Sequence, residues 1–241
     1  MTHATSEEDR AMAPGWARTG DLLGRIGIVI VFTLAASAKF QAIIRNVQEW
    51  SSGSPDFEIL RLFSQIANLA FLVLIVSTTI IRLKPLRSAE GIEPRLMAFA
   101  GTFATVLLIL IPPTISLSPE LKIFALCLTL VGFSLSAYVL YWLGRSFSIM
   151  AEARRLVTSG PYGIVRHPLY VVEEIAVIGI LLLNLSLPAL LLIAVQWTIQ
   201  MRRMHHEERV LSQAFPEYAS YAGRTPKFLP RLTNIPAQRP T

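Results

Sequence analysis

The chain has 241 residues, of which 53% are hydrophobic and only 16% are charged, and its mean hydropathy is +0.51. Soluble domains carry about 25% charged residues, so this composition excludes a disordered chain and indicates an integral membrane protein. The formal net charge is nevertheless +6, and a single cysteine, Cys127, excludes an intrachain disulfide and a cysteine-rich zinc site.

Five stretches are candidates for crossing a bilayer, which takes about 20 mostly apolar residues in a helix. The first, Leu22–Ile44, contains Arg25 and Lys39 near its ends, where both side chains can reach the interface. The other four contain no Asp, Glu, Lys or Arg: Leu62–Ile81, Leu96–Pro119, Ile123–Gly144 and Ile175–Met201.

The last stretch, extended by Leu169–Glu174, is too long for one crossing. Asn184 to Pro188 form a turn signal within it, with proline placed to start a following helix. We therefore predict a helical hairpin, with one long kinked helix as the alternative. The fold class is accordingly an all-α polytopic helix bundle of about six spans.

The basic residues divide unequally between the two sides of this bundle. Lys39, Arg45, Arg61 and Lys122 fall on one side, and the other 18 of the 22 fall on the opposite side. The positive-inside rule then predicts that both termini are cytoplasmic. Orientation and attraction to membrane lipid explain the basic charge, and no module for nucleic acid is recognisable.

The predicted spans divide the chain into four regions. Residues 1–20 form a polar cytoplasmic N-terminus without a cleaved signal peptide, and residues 21–143 form four transmembrane helices. Residues 144–233 form a loop, the hairpin and a cytoplasmic C-terminal helix, and residues 234–241 form a loose tail.

Polar residues collect where the hairpin meets the cytoplasm. His167 lies at the start of span five, and at 1.5 Å per residue the end of span six returns to a similar depth. His167, Tyr170 and Glu174 share one helical face through i, i+3, i+7 spacing, whereas Glu173 points about 100° away. These residues could instead face headgroups, but ionisable groups at this depth usually face a bundle interior and are partnered.

A second cluster, Arg202 to Arg209, ends span six and contains His205, His206, Glu207 and Glu208. A solvated helix end with i, i+4 pairs is one interpretation, and a zinc site is another. Adjacent histidines project about 100° apart on a helix, and no HExxH spacing is present, so we predict no metal.

These clusters in this order resemble the isoprenylcysteine carboxyl methyltransferase and phospholipid methyltransferase superfamily of membrane enzymes. The resemblance covers roughly residues 143–231. The residues that carry it are Ser159-Gly160-Pro161-Tyr162, Arg166-His167-Pro168 with Tyr170, Glu207-Glu208, Glu217-Tyr218, Tyr221, Arg224 and Pro230.

The resemblance implies S-adenosyl-L-methionine as methyl donor, in a cytoplasm-facing site formed by the last helices. The residues implied to bind it are Arg166, His167, Tyr170, Glu207 and Glu208, and we predict that His205 binds it as well. We predict that His167, Glu208 and Arg224 are the catalytic residues, and the resemblance implies that Arg224 lies on the substrate side. Val172 stands where the family has glycine, and the Glu173-Glu174 pair lies outside its general pattern, which leaves the acceptor open.

We therefore expect a membrane methyltransferase that acts on a lipophilic small molecule, a lipid or a prenylated acceptor. The acceptor atom can belong to a carboxylate, an amine or a thiol. An NADPH-dependent membrane reductase of the sterol type is the alternative enzyme, and a membrane scaffold or transporter subunit is the non-enzymatic alternative.

Overall fold

A computed structural model describes residues 15–50 and 55–230 of the chain. The predicted loose tail, residues 234–241, and most of the predicted polar N-terminus lie outside the described residues. The helices are α1 (Gly15–Gln48), α2 (Pro55–Ile81), α3 (Glu93–Leu110), α4 (Pro119–Leu143), α5 (Pro161–Ile164), α6 (Pro168–Leu183), α7 (Leu187–Ala214) and α8 (Tyr218–Arg224). Two strands of two residues, β1 (Arg87–Ser88) and β2 (Glu152–Ala153), complete the described structure.

Four helices are long and apolar enough to cross a membrane, and they overlap the first four predicted spans, although α3 ends at Leu110 and the third predicted span continues to Pro119. Their apolar segments are Gly24–Gln48, Pro55–Ile81, Glu93–Leu110 and Pro119–Ser146. The all-α fold class is confirmed, apart from the short β1–β2 ladder. In α1, the Arg25 guanidinium donates to the Ile80 carbonyl oxygen at 3.5 Å, so the charged end of this helix is held against α2.

The predicted hairpin bend lies between α6 and α7, and the alternative of one long kinked helix is wrong. The Asn184 side chain donates to the Ile180 carbonyl at 2.8 Å, which closes the end of α6. The Ser186 hydroxyl accepts from the Ala189 amide at 3.4 Å, which caps the start of α7. With 16 residues, α6 extends about 24 Å, less than the roughly 30 Å of a hydrocarbon core, so spans five and six stay a prediction.

Small residues allow α4 and α6 to pack closely along their length. A methyl group added at Gly132 would lie 2.3 Å from the backbone nitrogen of Ala176, and one at Gly179 would lie 2.4 Å from the Thr129 hydroxyl oxygen. Both glycines are therefore required for this approach, which fixes α6 against the bundle. α7 packs instead against α3.

The two consecutive helices α6 and α7 contact each other closely at only a few positions. Long polar side chains bridge the distance between them, as when Tyr170 of α6 donates to the Glu207 carboxylate of α7. We call the group of side chains that lies between these two helices the polar recess; its members are Tyr170, Glu173, Glu174, Gln196, Arg203 and Glu207.

The β1–β2 ladder joins two loops at the end of the bundle where α6 begins. The strands are antiparallel, with Arg87 opposite Ala153 and Ser88 opposite Glu152. The Arg154 guanidinium bonds to the Glu152 carboxylate and to the Leu83 carbonyl, which joins the same two loops by a second route. The two loops at this end of the molecule are therefore held together and can position charged side chains.

Candidate functional site

An extended segment after α8 positions the start of α6. The Arg166 amide donates to the Pro226 carbonyl at 2.8 Å, and the His167 amide donates to the Lys227 carbonyl at 3.3 Å. Pro226 ends the helical path of the chain and leaves its carbonyl free to accept, as the proline spacing predicts. The two segments therefore hold Arg166, His167 and Lys227 at one place.

Glu208 of α7 lies among three cationic or ionisable side chains from these two segments. Its Oε1 is 2.9 Å from His167 Nε2 and 3.5 Å from Arg166 Nη1, and its Oε2 is 3.2 Å from Lys227 Nζ. Burial raises the pKa of the Glu208 carboxyl, but the His167 hydrogen bond and the charges of His167, Lys227 and Arg166 together lower this pKa to about 2. Glu208 is therefore ionised at neutral pH. We call these four residues the Glu208 cluster.

Glu207, the next residue, faces the polar recess. It accepts from the Tyr170 hydroxyl, and the Arg203 guanidinium carbon lies 5.4 Å from the centre of the Tyr170 ring. Arg203 also donates through Nη1 to Gln200 at 2.9 Å and through Nη2 to the Ile149 carbonyl at 3.3 Å. These contacts fix the guanidinium between α6, α7 and the loop that follows α4.

Tyrosines surround the junction of the Glu208 cluster and the recess, and they remain protonated at neutral pH. Burial, together with the negative charge of Glu208, raises the pKa of both Tyr218 and Tyr221 to about 12. Burial and the charge of Glu207 raise the pKa of Tyr162 well above its ordinary value. Tyr221 donates its hydroxyl to the Tyr162 carbonyl at 2.7 Å, which holds α8 against α5.

Two further carboxylates lie in the recess on α6. Glu174 accepts from Gln196 Nε2 at 2.9 Å and from Trp197 Nε1 at 2.7 Å. Glu173 lies within electrostatic range of Arg203 and Glu207, yet its carboxylate forms no hydrogen bond or ion pair within residues 15–50 and 55–230. The recess thus holds an acidic group with unused hydrogen-bonding capacity.

The structure brings together most of the predicted site residues but not all of them. Arg166, His167 and Glu208 form one cluster and Tyr170 pairs with Glu207. The exposed His205 lies 3.1 Å from Arg209, which is the i, i+4 pair expected of a solvated helix end. Arg224 is also exposed and donates to the Ser220 carbonyl of its own helix at 3.3 Å. The proposed roles of all these residues stay predictions.

Sequence reasoning missed Lys227 and Arg203 as members of the site. Arg203 precedes Glu207 by four residues, so helical spacing could have placed both on one face of α7. Lys227 approaches Glu208 only because the segment after α8 folds back onto the start of α6, and no local pattern encodes that approach. Among the described residues, no group of three or more His, Cys, Asp or Glu side chains is arranged to hold a metal ion.

Residues 121–218 match the family model described as phospholipid methyltransferase. A curated relative from Arabidopsis thaliana, protein-S-isoprenylcysteine O-methyltransferase B, is 34% identical over 115 residues, which are 44% of this chain and 58% of the relative. The predicted resemblance to this superfamily is thereby confirmed, and the matched region contains the whole of α6 and of α7.

Two bacterial proteins are also similar over part of the chain. The cobalt-zinc-cadmium resistance protein CzcN of Cupriavidus metallidurans is 38% identical over 45% of this chain and 50% of its own length. The nickel-cobalt-cadmium resistance protein NccN of Alcaligenes xylosoxydans xylosoxydans is 36% identical over 34% of this chain and 39% of its own length. The matches to curated relatives therefore span about half of those proteins.

Proposed function

We propose, from the match of residues 121–218 to the phospholipid methyltransferase family, that this chain is an integral membrane methyltransferase. Its methyl donor is S-adenosyl-L-methionine, and its acceptor is lipophilic or membrane-associated, as in the isoprenylcysteine carboxyl methyltransferases. The observation that carries the proposal is the Glu208 cluster, in which Glu208 of α7 contacts Arg166, His167 and Lys227 while the next residue, Glu207, accepts from Tyr170 of α6. The family match favours this function over the sterol-type reductase.

The residues present fit the amino-acid portion of this donor. Arg166 and Lys227 carry two positive charges, and both contact a single carboxylate, that of Glu208. One positive charge is therefore left to attract the carboxylate of the donor. Nε of Arg166 is buried and has no hydrogen-bond partner in the described part of the chain, so it is a donor available to a ligand. Such charge-assisted bonds are roughly twice as strong as neutral ones.

Each residue then has a distinct task. Arg166 and Lys227 hold the donor's carboxylate, and Glu208 and Glu207 accept from its ammonium or ribose hydroxyls. Tyr170 and Arg203 orient Glu207. Tyr170 donates a hydrogen bond to Glu207, and Arg203 lies over the Tyr170 ring within electrostatic range of Glu207. The buried His167 ring holds Glu208 in place through its 2.9 Å contact.

When bound, S-adenosyl-L-methionine supplies an electrophilic methyl group on a sulfonium sulfur. The chain contributes orientation, because in-line displacement requires the nucleophile, the methyl carbon and the sulfur to be collinear, and positioning can account for much of the acceleration. Glu173 and Glu207 lie within electrostatic range of Arg203, and carboxylates at this place favour the approach of a sulfonium cation.

Isothermal titration of the detergent-solubilised protein with S-adenosyl-L-methionine tests the proposal. Replacing Glu208 by glutamine removes the charge but keeps the shape, and we expect the affinity to fall about tenfold or more, as for a lost charged hydrogen bond. The control is Glu120→Gln, an exposed carboxylate at the start of α4, which should bind as the unsubstituted protein does. A folded protein that does not bind the donor overturns the proposal.

We also propose that the site faces the cytoplasm. The ends of α2 and α4 and the starts of α3 and α6 lie at the same end of the bundle as the site, and the basic residues concentrate in these connections. The positive-inside rule assigns such a face to the cytoplasm.

A further inference from the structure

Of the four apolar helices, α1 is the one that the rest of the molecule covers least. Only 6% of its most apolar stretch is buried, compared with 39% of the corresponding stretch that begins at Pro119 in α4. One side of α1 packs against α2 and into the core, through the buried Ile28 and the half-buried Phe32. The other side is exposed, and in a bilayer it faces either lipid or another protein.

A regular row of exposed residues runs along this other side of α1. The row advances by alternating steps of four and three residues, which is the heptad period of helices that pack side by side. Its members carry no charge. We call the row the α1 seam, and it consists of Ile26, Ile30, Thr33, Ser37, Phe40, Ile44 and Val47.

Polar side chains distinguish the α1 seam from an ordinary lipid-facing surface. Thr33 and Ser37 belong to the seam, Gln41 lies beside it, and all three lie near the middle of the apolar segment Gly24–Gln48. In the part of the chain that the structure describes, none of the three side chains forms a hydrogen bond. The Thr129 hydroxyl, in contrast, donates to the carbonyl four residues earlier in its own helix at 2.8 Å.

Lipid tails cannot satisfy these three side chains, because hydrocarbon offers neither donors nor acceptors at this depth. Hydroxyl and amide side chains in membrane helices usually form hydrogen bonds to a neighbouring helix. The exposed polar groups of α1 therefore indicate a protein partner that presents its own polar groups at the same depth.

An open groove of about 570 Å³ lies beside the seam, between α1 and α2. The residues that line it include Thr33, Ser37, Phe40 and Gln41 of α1 and Val73 and Ser77 of α2. The groove gives the exposed side of α1 a concave margin, into which side chains of a second helix can pack.

We propose that the α1 seam is the surface at which two copies of this chain associate in the membrane, with their α1 helices parallel. A twofold axis along the membrane normal brings each seam residue to the depth of its own counterpart. Thr33, Ser37 and Gln41, which follow one another at about 6 Å along the helix, then meet the same three residues of the second copy. Hydroxyl and amide groups both donate and accept, so each of these residues is complementary to itself.

Symmetry also favours a second copy over other occupants of this surface. A lipophilic ligand or an unrelated helix would have to present matching polar groups at three depths, whereas a second copy presents them by construction. The uncharged seam brings no like charges together. The proposal is independent of the proposed methyltransferase function, because the Glu208 cluster is built from α7 and from the segments before α6 and after α8.

Cysteine crosslinking of the full chain in membranes tests this interface in a Cys127→Ser background. Ser37→Cys places a thiol on the seam, and oxidation should convert most of the protein into a covalent dimer, twice 26.8 kDa in mass on a non-reducing gel. The matched control is Ala38→Cys, which is also exposed and lies at nearly the same depth but points about 100° away. This control should stay monomeric, and equal yields of dimer from the two variants overturn the proposal.

A second measurement tests the polar contacts without a crosslink. Gln41→Leu keeps the approximate size of the side chain but removes its amide, so we expect the dissociation constant of the dimer to rise about tenfold. Energy transfer between labelled copies in vesicles of increasing lipid content measures this constant. Thr198→Val is the control, because the exposed Thr198 hydroxyl already bonds to the Ala194 carbonyl of its own helix at 3.0 Å. Protein that is monomeric at every lipid content, or an equal change in both variants, overturns the proposal.

Discussion

At Glu208, three side chains from two distant segments determine the charge of one carboxylate. His167 and Arg166 precede α6, and Lys227 follows α8. His167 lies 41 positions before Glu208 in the chain and Lys227 lies 19 positions after it, yet both contact its carboxylate. Because these neighbours favour the ionised form, the carboxyl titrates at about 2 instead of 4.5. The cluster therefore contributes to stability as well as to the proposed binding of the donor.

The first prediction concerns the thermal stability of the protein at acidic pH. A carboxyl whose folded pKa is depressed contributes stability that is fully present above its ordinary pKa of 4.5 and is lost as the pH falls toward 2. Glu208→Gln lacks this contribution, so its thermal unfolding midpoint should fall less than that of the unsubstituted protein between pH 5 and pH 3. Differential scanning fluorimetry in detergent measures both curves.

The matched control for the acid prediction is Glu217→Gln, which removes an exposed carboxylate next to α8. This variant should follow the unsubstituted protein throughout the pH range. Parallel curves for Glu208→Gln and the unsubstituted protein would contradict the prediction.

Motif and spacing identify candidate site residues that lie close together along the chain, but the direction of each side chain depends on folding. Arg166-His167 and Glu207-Glu208 lie at helix ends that the hairpin brings to one depth. His205 and Arg224 belong to the same segments, yet both are exposed and bond within their own helices. Neighbouring helical residues point about 100° apart, so membership in a motif does not fix which of them face the site.

At the scale of the elements, the fit of α6 against α4 decides where the site begins. Because α6 starts at Pro168, directly after His167, any shift of this helix also moves His167 relative to Glu208. Gly132 permits the close approach, since an added methyl group there would lie 2.3 Å from the Ala176 backbone nitrogen. The backbone of α6 must therefore move to accept any larger residue at this position.

We predict that Gly132→Ala destabilises the protein by about 1–3 kcal/mol, the usual cost of overpacking a well-packed interface. The control is Gly27→Ala in α1, where an added methyl group meets nothing within 4 Å. That variant should be neutral or stabilise by up to about 1 kcal/mol, because glycine in a helix interior is unfavourable. Thermal unfolding of both variants in detergent gives the comparison, and equal midpoints would refute the argument from the α4–α6 contact.

At the scale of the whole molecule, the distribution of basic residues predicts which face of the membrane carries the site. Four apolar helices are confirmed, and the connections around the Glu208 cluster contain most of the positive charge. The orientation itself stays a prediction from the positive-inside rule.

Cysteine labelling tests this orientation in a Cys127→Ser background. We expect Arg155→Cys, an exposed position in the connection between α4 and α6, to react with a membrane-impermeant maleimide only after the cells are permeabilised. Lys122→Cys, at the opposite end of α4, should react in intact cells. The reverse pattern would place the site on the outer face.

The sequence by itself determined the apolar helices, the bend between α6 and α7 and the family resemblance, because each depends on local composition or on residues in fixed order. Only the tertiary structure decided that Lys227 joins Glu208, that α6 and α7 are bridged by polar side chains and that Glu173 and the Gln196 oxygen have no partners among the described residues. Such facts depend on how far apart packed helices come to lie and on which way each side chain points. Packing between distant segments sets both, and no local pattern in the chain encodes it.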